Sequence, residues 1–337
     1  MTDPKPRIVI SIGDFNGIGP EIILKSLTED FIGTSTPVIL SPPGVIDFYC
    51  GNLGFENPIH SIDNIDQAEP GKINVLDPLK NEKTISVTPG YQTEKSGLVA
   101  MKAIEMGIEL CTSGSAQALV TAPISKEAVN LAGYNIPGHT EFLATQTGTQ
   151  EVLMMLVSGD LRVSLVTTHI PIREVAQKIS AALIERKLEI LSQSLKEDFG
   201  IEKPKIAVFG LNPHAGDGGV IGREEMDLIT PLLKKLQPNI HNTIISGPFP
   251  ADGFFGQQLH KEFDAILAMY HDQGLAPFKL LSFGKGVNFT AGLPIIRTSP
   301  DHGTAFDIAG KGMGNPSSFK EAYSLAVQLA KQRFSDI

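Results

Sequence analysis

Residues 269–316 read MYHDQGLAPFKLLSFGKGVNFTAGLPIIRTSPDHGTAFDIAGKGMGNP. This stretch combines histidine, lysine, arginine and aspartate with many glycines, and it lacks the apolar periodicity of an ordinary core helix or strand. We therefore predict that most of it forms loops lining a ligand pocket. The residues around its start, 265–271 (AILAMYH), instead indicate a buried parallel strand that delivers His271 to the sheet edge where open α/β folds bind ligands.

The composition indicates a globular protein and excludes two classes of partner. The 337 residues are 42% hydrophobic, which is ample for one large or two medium domains. A net charge of −9 argues against a nucleic-acid surface. Cys50 and Cys111 form neither a disulfide framework nor a CxxC motif, so we expect a reducing compartment, the cytoplasm. The absence of an apolar signal region and of an apolar run near ~18 residues leads us to expect no membrane association.

Residues 13–21 (GDFNGIGPE) connect a short buried strand at 7–12 to a helix predicted from Ile22 to Leu27. Glycines let the backbone turn tightly and approach a ligand, and Pro20 suits the first turn of a helix. A tight strand-to-helix connection without any ligand is equally compatible with this spacing. The pattern is not GxGxxG, so a standard dinucleotide-binding turn is not predicted here.

Three separate segments read as short apolar strands that end at, or just before, a histidine: 163–169, 206–214 and 265–271. The carboxyl ends of parallel strands lie on one edge of a sheet, so His169, His214 and His271 can meet there. Three imidazoles with an open position for substrate would favour zinc, cobalt or nickel over magnesium. A hydrogen-bonded structural role is the alternative for each histidine taken alone.

Two charged residues outside this set have a local context that suggests a function. Asp252 stands among small and apolar residues before Phe254, where it can cap a helix or form an Asx turn, or exchange a proton with substrate beside a metal. Arg297 follows an apolar segment that should draw it into the interior, where a guanidinium needs a phosphate or carboxylate partner.

Several of these motifs resemble those of the 4-hydroxythreonine-4-phosphate dehydrogenases, metal-dependent NAD(P) enzymes of pyridoxal phosphate biosynthesis. They are the 13–21 turn, in which Phe15 replaces an expected proline, TAPISK at 121–126, PGHTEFLA at 137–144 and residues 271–312. The turn is also similar to the GDGIGPE of isocitrate and isopropylmalate dehydrogenases. The resemblance implies an α/β fold of the isocitrate/isopropylmalate dehydrogenase-like type, with two α/β/α domains and largely parallel sheets. It places an outer domain at 1–122 plus 285–337 and a middle domain at 123–284.

The resemblance also assigns site residues. It implies metal binding by His169, His214 and His271 at the interface of a homodimer, with zinc expected first and cobalt, magnesium, manganese or nickel as alternatives. Residues 301–316 are similar to the loop that holds adenosine in isopropylmalate-type dehydrogenases, and an acid at Asp307 would favour NAD over NADP. Thr140 can also serve only to cap its helix. The implied substrate residues are His139, Thr140, Lys279, Asn288 and Arg297, and the implied cofactor residues are His302, Gly303, Thr304, Asp307 and Asn315.

The implied reaction is oxidation of 4-phosphooxy-L-threonine to a β-keto acid, which loses carbon dioxide to give 3-amino-2-oxopropyl phosphate. Three alternatives remain open at this level. A dehydrogenase for erythronate or threonate 4-phosphate would share every motif. A three-histidine metallohydrolase would not need residues 301–316. A protein that only binds phosphorylated metabolites would use the basic residues without chemistry.

Overall fold

The computed structural model describes residues 5–55, 58–80, 85–136, 138–237, 240 and 242–334. The chain divides into two compact units. Unit 1 combines residues 1–150 with 293–337, and unit 2 is the continuous segment 151–292. The domain limits implied by the resemblance, at 122/123 and 284/285, stay a prediction, because compact units and functional domains need not share boundaries.

The described residues of unit 1 contain six parallel strands in the order β3-β4-β2-β1-β5-β12. The strands are β1 (Arg7–Ser11), β2 (Thr36–Leu40), β3 (Ile59–Ile62), β4 (Ile73–Leu76), β5 (Ala118–Thr121) and β12 (Ile296–Pro300). The helices are α1 (Gly19–Ser26), α2 (Glu29–Thr34), α3 (Pro43–Leu53), α4 (Glu94–Thr112), α5 (Lys126–Leu131), α6 (His139–Gln146) and α12 (Ser317–Arg333). Continuous burial along β1, β2 and β5 is typical of parallel strands covered on both faces.

The predicted elements of unit 1 are confirmed with small shifts. The strand predicted at 7–12 forms as β1 (Arg7–Ser11). The side chain of Thr93 caps α4 by accepting from the Ser96 N–H. Helix α1 begins at Gly19 rather than at Ile22, because Pro20 already lies in its first turn, where its missing N–H costs nothing.

Unit 2, in the part that the structure describes, contains six strands in the order β11-β6-β7-β10-β8-β9. The strands are β6 (Leu153–Ser158), β7 (Leu161–Leu165), β8 (Lys205–Phe209), β9 (Ile244–Phe249), β10 (Ala265–Ala268) and β11 (Val287–Ala291). The helices are α7 (Ile172–Lys178), α8 (Ala181–Glu197), α9 (Thr230–Leu236), α10 (Ala251–Gly256) and α11 (His271–Ser282). β7, β10, β8 and β9 run parallel, whereas β11 and β7 each pair antiparallel with β6.

The core of unit 2 includes side chains of β7, β8 and β10, the strands that precede the three histidines. It includes Phe209 from β8, Phe254 from α10 and Phe278 from α11, all at most 1% exposed. The rings of Phe209 and Phe254 meet edge to face with centroids 5.1 Å apart. Aromatic burial of this kind fixes α10 and α11 against the sheet, and so fixes where each helix begins.

The prediction of loops for most of residues 269–316 holds for 26 of these 48 residues, and the other 22 form regular elements. Helix α11 occupies the first part, and β11 and β12 follow, while 301–316 contains neither helix nor strand. Gly274 and Pro277 concealed the helix from the sequence pattern. A Cβ at Gly274 would lie 2.8 Å from Val163 Cγ1, so this glycine allows α11 to approach β7 closely.

Candidate active site

Three parallel strands of unit 2 end side by side, as the sequence predicted. β10 pairs with β7 on one side and with β8 on the other, both in parallel register. The segments that follow them carry His169, His214 and His271. The rings of His169 and His271 lie with their centroids 5.7 Å apart. The edge therefore brings together at least two of the three predicted metal ligands.

Side-chain hydrogen bonds hold the three strand ends together beyond the sheet. Thr167 Oγ1 donates to the Met269 carbonyl at 2.7 Å, which joins the end of β7 to that of β10. Gln273 accepts from the Met269 N–H at 2.7 Å and donates to the Gly210 carbonyl at 2.7 Å. Gln273 thus links the ends of β10 and β8, a role that no local sequence signal indicated.

His271 is the first residue of α11 and has a carboxylate beside one ring nitrogen. Its Nδ1 lies 2.7 Å from Asp272 Oδ1. A carboxylate at Nδ1 favours the tautomer that carries its proton there, and it leaves Nε2 as the ligand atom. This arrangement fits the predicted role in metal binding.

His214 is presented by an unusual backbone turn directly after β8. It lies in the segment Pro213–Gly219, with φ 52° and ψ 27°, and its side chain is exposed. Within the part of the chain that the structure describes, no three His, Cys, Asp or Glu side chains gather closely enough to hold an ion. The three-histidine set therefore stays a prediction.

Asp252 lies in the first turn of α10 and is exposed. The cap position of this helix is Pro250, and no side-chain cap bond forms there. The interpretation of Asp252 as a helix cap is wrong, because the helix begins at Ala251 and already includes the aspartate. Its exposed carboxylate is free of that structural role and can serve in chemistry.

Arg297 is a fully buried cation on β12 in unit 1. It is 1% exposed, and its Nη2 and Nε donate to Thr121 Oγ1 at 2.7 and 3.1 Å. Burial lowers the pKa of the guanidinium to about 10, so it remains charged at neutral pH. The expectation that Arg297 turns inward is correct. The expectation that it lies in a loop is wrong, because Arg297 lies on β12. The same expectation is wrong for Lys279, on α11, and for Asn288, on β11.

His139 is the first residue of α6 and lies within the electrostatic field of Arg297. Burial, and then the charge of Arg297, lower the pKa of the imidazole to about 3, so the ring is neutral at neutral pH. The residue keeps partial exposure, but its Nε2 is buried without a hydrogen-bond partner among the described residues. An orphaned polar atom beside a buried cation is what a polar or anionic ligand would satisfy.

The other predicted substrate residues lie on regular elements. Thr140 is the second residue of α6, whose cap position is Gly138, so the interpretation of Thr140 as a cap is wrong. In unit 2, Lys279 is exposed on α11. Asn288 Oδ1 is buried on β11 and lacks a partner within the described part of unit 2. Thus Lys279 is accessible to an anion, while Asn288 has an unused acceptor.

The predicted cofactor segment, residues 301–316, packs against the glycine-rich turn at 13–21. The Ile18 N–H donates to the Thr304 carbonyl at 2.9 Å, and a Cβ at Gly17 would lie 2.8 Å from the same oxygen. His302, Gly303, Asp307 and Asn315 are exposed, and Thr304 is partly buried. The 13–21 turn therefore supports residues 301–316 from one side. The exposed residues of that segment remain accessible to a nucleotide.

Two charged residues of α1 fix the far end of that segment. Glu21 is fully buried and accepts from the Gly314 N–H at 2.6 Å. Lys25 Nζ donates to Glu21 at 2.7 Å and to the carbonyls of Gly312 and Gly314 at 2.7 and 3.1 Å. In the sequence, Glu21 is only the last residue of the 13–21 motif, and no local pattern indicates a role for Lys25.

The turn itself encloses a buried acid and a buried aromatic ring. Asp14 is fully buried, and its Oδ1 accepts from the Asn16 N–H at 3.0 Å. Burial raises the pKa of Asp14 to about 6, although its hydrogen bonds to Asn16 and Ser96 oppose the shift. Phe15 is also fully buried, and its carbonyl accepts from the Tyr49 hydroxyl at 2.8 Å. Phe15 is thus accommodated in the core.

None of the helices in the described part of the chain has the length and apolar character that a membrane crossing requires.

The chain matches known proteins over almost its whole length. The family model described as pyridoxal phosphate biosynthetic protein PdxA matches residues 34–326. A 4-hydroxythreonine-4-phosphate dehydrogenase of Bacteroides thetaiotaomicron is 42% identical over 335 residues, which covers 99% of this chain and 91% of the relative. A protein of the same name from Prosthecochloris aestuarii is 44% identical over 334 residues, covering 97% and 98%.

A solved structure gives the same result for the fold. The crystal structure of 4-hydroxythreonine-4-phosphate dehydrogenase from Klebsiella pneumoniae matches with a TM-score of 0.88 at 37% identity, covering 98% of this chain and 99% of that one. The resemblance inferred from the sequence is confirmed. The predicted α/β fold class of the isocitrate/isopropylmalate dehydrogenase-like type is confirmed as well.

Proposed function

This chain belongs to the PdxA family of pyridoxal phosphate biosynthetic proteins, and we propose on that premise how its residues carry out the family's reaction. It is an oxidoreductase that acts on a CH–OH group. The proposed substrate is 4-phosphooxy-L-threonine. Its secondary alcohol is oxidised with NAD(P), and the resulting β-keto acid loses carbon dioxide to give 3-amino-2-oxopropyl phosphate.

The observation within the molecule that carries this proposal is the buried guanidinium of Arg297. This fully buried cation donates to Thr121 Oγ1 at 2.7 Å, and a phosphate or carboxylate is the anion that a planar guanidinium binds best. The phosphate or carboxylate of the substrate supplies that anion. The neutral His139 has a buried Nε2 that can form a hydrogen bond with this anionic group of the substrate.

The remaining substrate residues are assigned by the chemistry of their side chains. Thr140, on α6, offers a hydroxyl, and Lys279, on α11, offers an exposed ammonium for an anionic group. Asn288 offers a buried amide oxygen that can accept from a hydroxyl or ammonium of the substrate. Binding of the substrate's polar groups by side chains of these kinds orients its alcohol for reaction.

The donor set at the strand edge of unit 2 fits a divalent metal. His169 and His271 lie near each other, and Asp272 orients the His271 ring. We assign His214 as the third ligand, and the proposed ion is zinc, with cobalt, magnesium, manganese or nickel as alternatives. An ion held by these residues would supply Lewis acidity to the substrate's alcohol and to the carbonyl formed from it. The proposed assembly is a homodimer with its metal sites at the subunit interface.

Residues 301–316 are the proposed nucleotide segment. The exposed carboxylate of Asp307 can accept from ribose hydroxyls and repel the extra phosphate of NADP, so NAD is the proposed cofactor. His302, Gly303, Thr304 and Asn315 line the same segment. A nicotinamide held by this segment would supply the acceptor for the substrate's hydride.

Asp252 is the proposed catalytic residue for proton exchange. It is exposed at the start of α10 and does not cap that helix. His139 is the alternative proton acceptor, although its pKa of about 3 makes it a weak base.

The proposed location is the cytoplasm, because Cys50 and Cys111 are both free thiols, as expected in a reducing compartment.

NADH formation from 4-phosphooxy-L-threonine, compared with erythronate 4-phosphate, tests the proposal. We expect faster turnover of the threonine compound and loss of turnover after a chelator removes the metal. Faster turnover of erythronate or threonate 4-phosphate would instead make this a dehydrogenase for another phosphorylated four-carbon acid. Metal-dependent hydrolysis without NAD binding would indicate a metallohydrolase, and binding of the phosphorylated acids without turnover would indicate a binding protein.

A further inference from the structure

The backbone that carries His214 is a left-handed turn. His214, Ala215, Gly216, Asp217 and Gly218 have φ values of 52°, 50°, 82°, 44° and 65°. Three of these five residues are not glycine. For such residues the left-handed conformation costs free energy, because Cβ approaches the backbone, and a run of them persists only where its surroundings hold it.

Glu225 holds the chain at the entrance to this turn. Its Oε1 accepts from the N–H groups of Leu211 and Asn212, both at 2.7 Å. Its Oε2 accepts from Asn212 Nδ2 at 3.0 Å. Residue Glu225 is 3% exposed, so these bonds form away from water. The carboxylate thereby fixes two of the four residues between the end of β8 and the turn.

Glu225 also packs against the turn itself. A Cβ at Gly216 would lie 2.6 Å from Glu225 Oε2, and a Cβ at Gly210 would lie 3.0 Å from Oε1. Glycine at both positions therefore lets the backbone close around the carboxylate. Among the described residues no lysine or arginine forms an ion pair with Glu225, so its charge is satisfied by N–H donors of this one segment.

We propose that Glu225 is a positioning residue that holds His214 in its left-handed conformation for metal binding. The inference rests on the metal role of His214 given under the proposed function. A buried carboxylate that only stabilised the fold would not need to collect its donors from the residues just before a metal ligand. Partners of metal ligands that act in this way commonly change metal affinity by about 10- to 100-fold when they are replaced.

The test measures zinc or cobalt binding to the purified protein in the absence of substrate. Glu225→Gln is nearly isosteric, but its amide group replaces one acceptor oxygen with a donor that faces Asn212 Nδ2. We expect metal affinity to fall by about tenfold or more. Asp227→Asn is the matched control, because it also removes one carboxylate charge from the helical segment Glu225–Ile229. The Asp227 carboxylate contacts Arg223 on the surface. The metal affinity of this control should stay within about twofold of the parent protein, a difference below ~0.4 kcal/mol.

A double-mutant cycle with His214→Ala separates this inference from the proposed function. If Glu225 acts through His214, adding Glu225→Gln to His214→Ala changes metal affinity no further. If His214→Ala alone leaves metal affinity unchanged, the metal assignment itself is wrong. If His214→Ala weakens binding while folded Glu225→Gln binds like the parent, the positioning role is overturned.

A second pair of variants covers the case in which Glu225→Gln fails to fold. Asn212→Ala removes one of the three bonds to the carboxylate and should weaken metal binding in the same direction but by less. Ala215→Gly in the Glu225→Gln background lowers the cost of the left-handed turn and should recover part of the affinity. Parent-like metal affinity in Asn212→Ala, together with no recovery in the double variant, would overturn the proposal.

Discussion

The N–H of Gly314 donates to the buried carboxylate of Glu21 across 293 positions of sequence, at a distance of 2.6 Å. Lys25 completes the arrangement by donating to Glu21 and to the carbonyls on either side of Met313. The first helix of the chain is therefore part of the support for the proposed nucleotide segment, and this connection can be tested.

Replacing Lys25 by methionine leaves the buried Glu21 without its cation and frees two carbonyls of the nucleotide segment. We expect the free energy of unfolding to fall by about 1–3 kcal/mol, measured by urea denaturation. The KM for NAD should rise more than the KM for the phosphorylated substrate. Lys102→Met, which removes a surface ion pair to Glu105, is the control and should change neither KM. An unchanged KM for NAD in Lys25→Met would contradict the supporting role.

Arg297→Lys keeps the charge but loses the planar guanidinium that binds oxygen through two nitrogens. We expect kcat/KM for the phosphorylated substrate to fall by about 10- to 100-fold, which corresponds to the loss of one or two charge-assisted hydrogen bonds. Steady-state kinetics measures the effect. Arg223→Lys, at an exposed ion pair with Asp227, serves as the control. Parent-like kinetics for Arg297→Lys would exclude a role in binding the substrate's anionic groups.

His271→Ala should abolish metal retention and turnover while the fold persists, because His271 lies partly exposed at a helix start outside the core. Asp272→Asn should retain the ligand but lower metal affinity by about tenfold, since the carboxylate orients the ring. Elemental analysis after dialysis checks both outcomes. His60→Ala, on β3, is the control and should retain metal. Full activity of His271→Ala would refute the metal assignment.

The raised pKa of Asp14 predicts a pH dependence of stability. Its pKa is about 6 in the folded protein and near 3.8 in the unfolded chain, so folding favours the protonated acid. The contribution of protonated Asp14 to the free energy of unfolding is fully present below pH 3.8. It is lost as pH rises through 6, a change of about 3 kcal/mol. Asp14→Asn removes this titration. The free energy of unfolding of the variant minus that of the parent should therefore increase from pH 4 to pH 7. Urea denaturation at several pH values measures the difference. A constant difference between the two proteins over this range would show that Asp14 does not titrate there.

Ala215→Gly should stabilise the protein by about 0.5–1 kcal/mol, because alanine at φ 50° is strained whereas glycine is not. Thermal or urea unfolding measures this gain. Ala251→Gly, in the first turn of α10, should have the opposite sign, since glycine there only adds flexibility to a helix. A loss of stability in Ala215→Gly would mean that the lost side-chain contacts outweigh the backbone strain.

The sequence predicted the features of the fold that follow from apolar segments and from parallel strand topology. The apolar segments before His169, His214 and His271 form strands that end on a common edge, because buried parallel strands have a strong local pattern. Helix α11 was missed because Gly274 and Pro277 serve a close approach to β7, which is a tertiary requirement. The left-handed turn at His214 and the bonds made by Gln273 and Glu225 depend on atoms distant in the sequence. No periodicity encodes such contacts.

The division of unit 1 between the two ends of the chain sets an order for its synthesis. Unit 2 lies within residues 151–292 and is synthesised before β12 is made. β5 can pair with β12, and Thr121 with Arg297, only after residues 296–300 have been made. The partner of Glu21, Gly314, emerges later still. A nascent chain stopped at residue 292 therefore holds all three histidines of the proposed metal set, yet has neither the buried arginine nor the nucleotide segment.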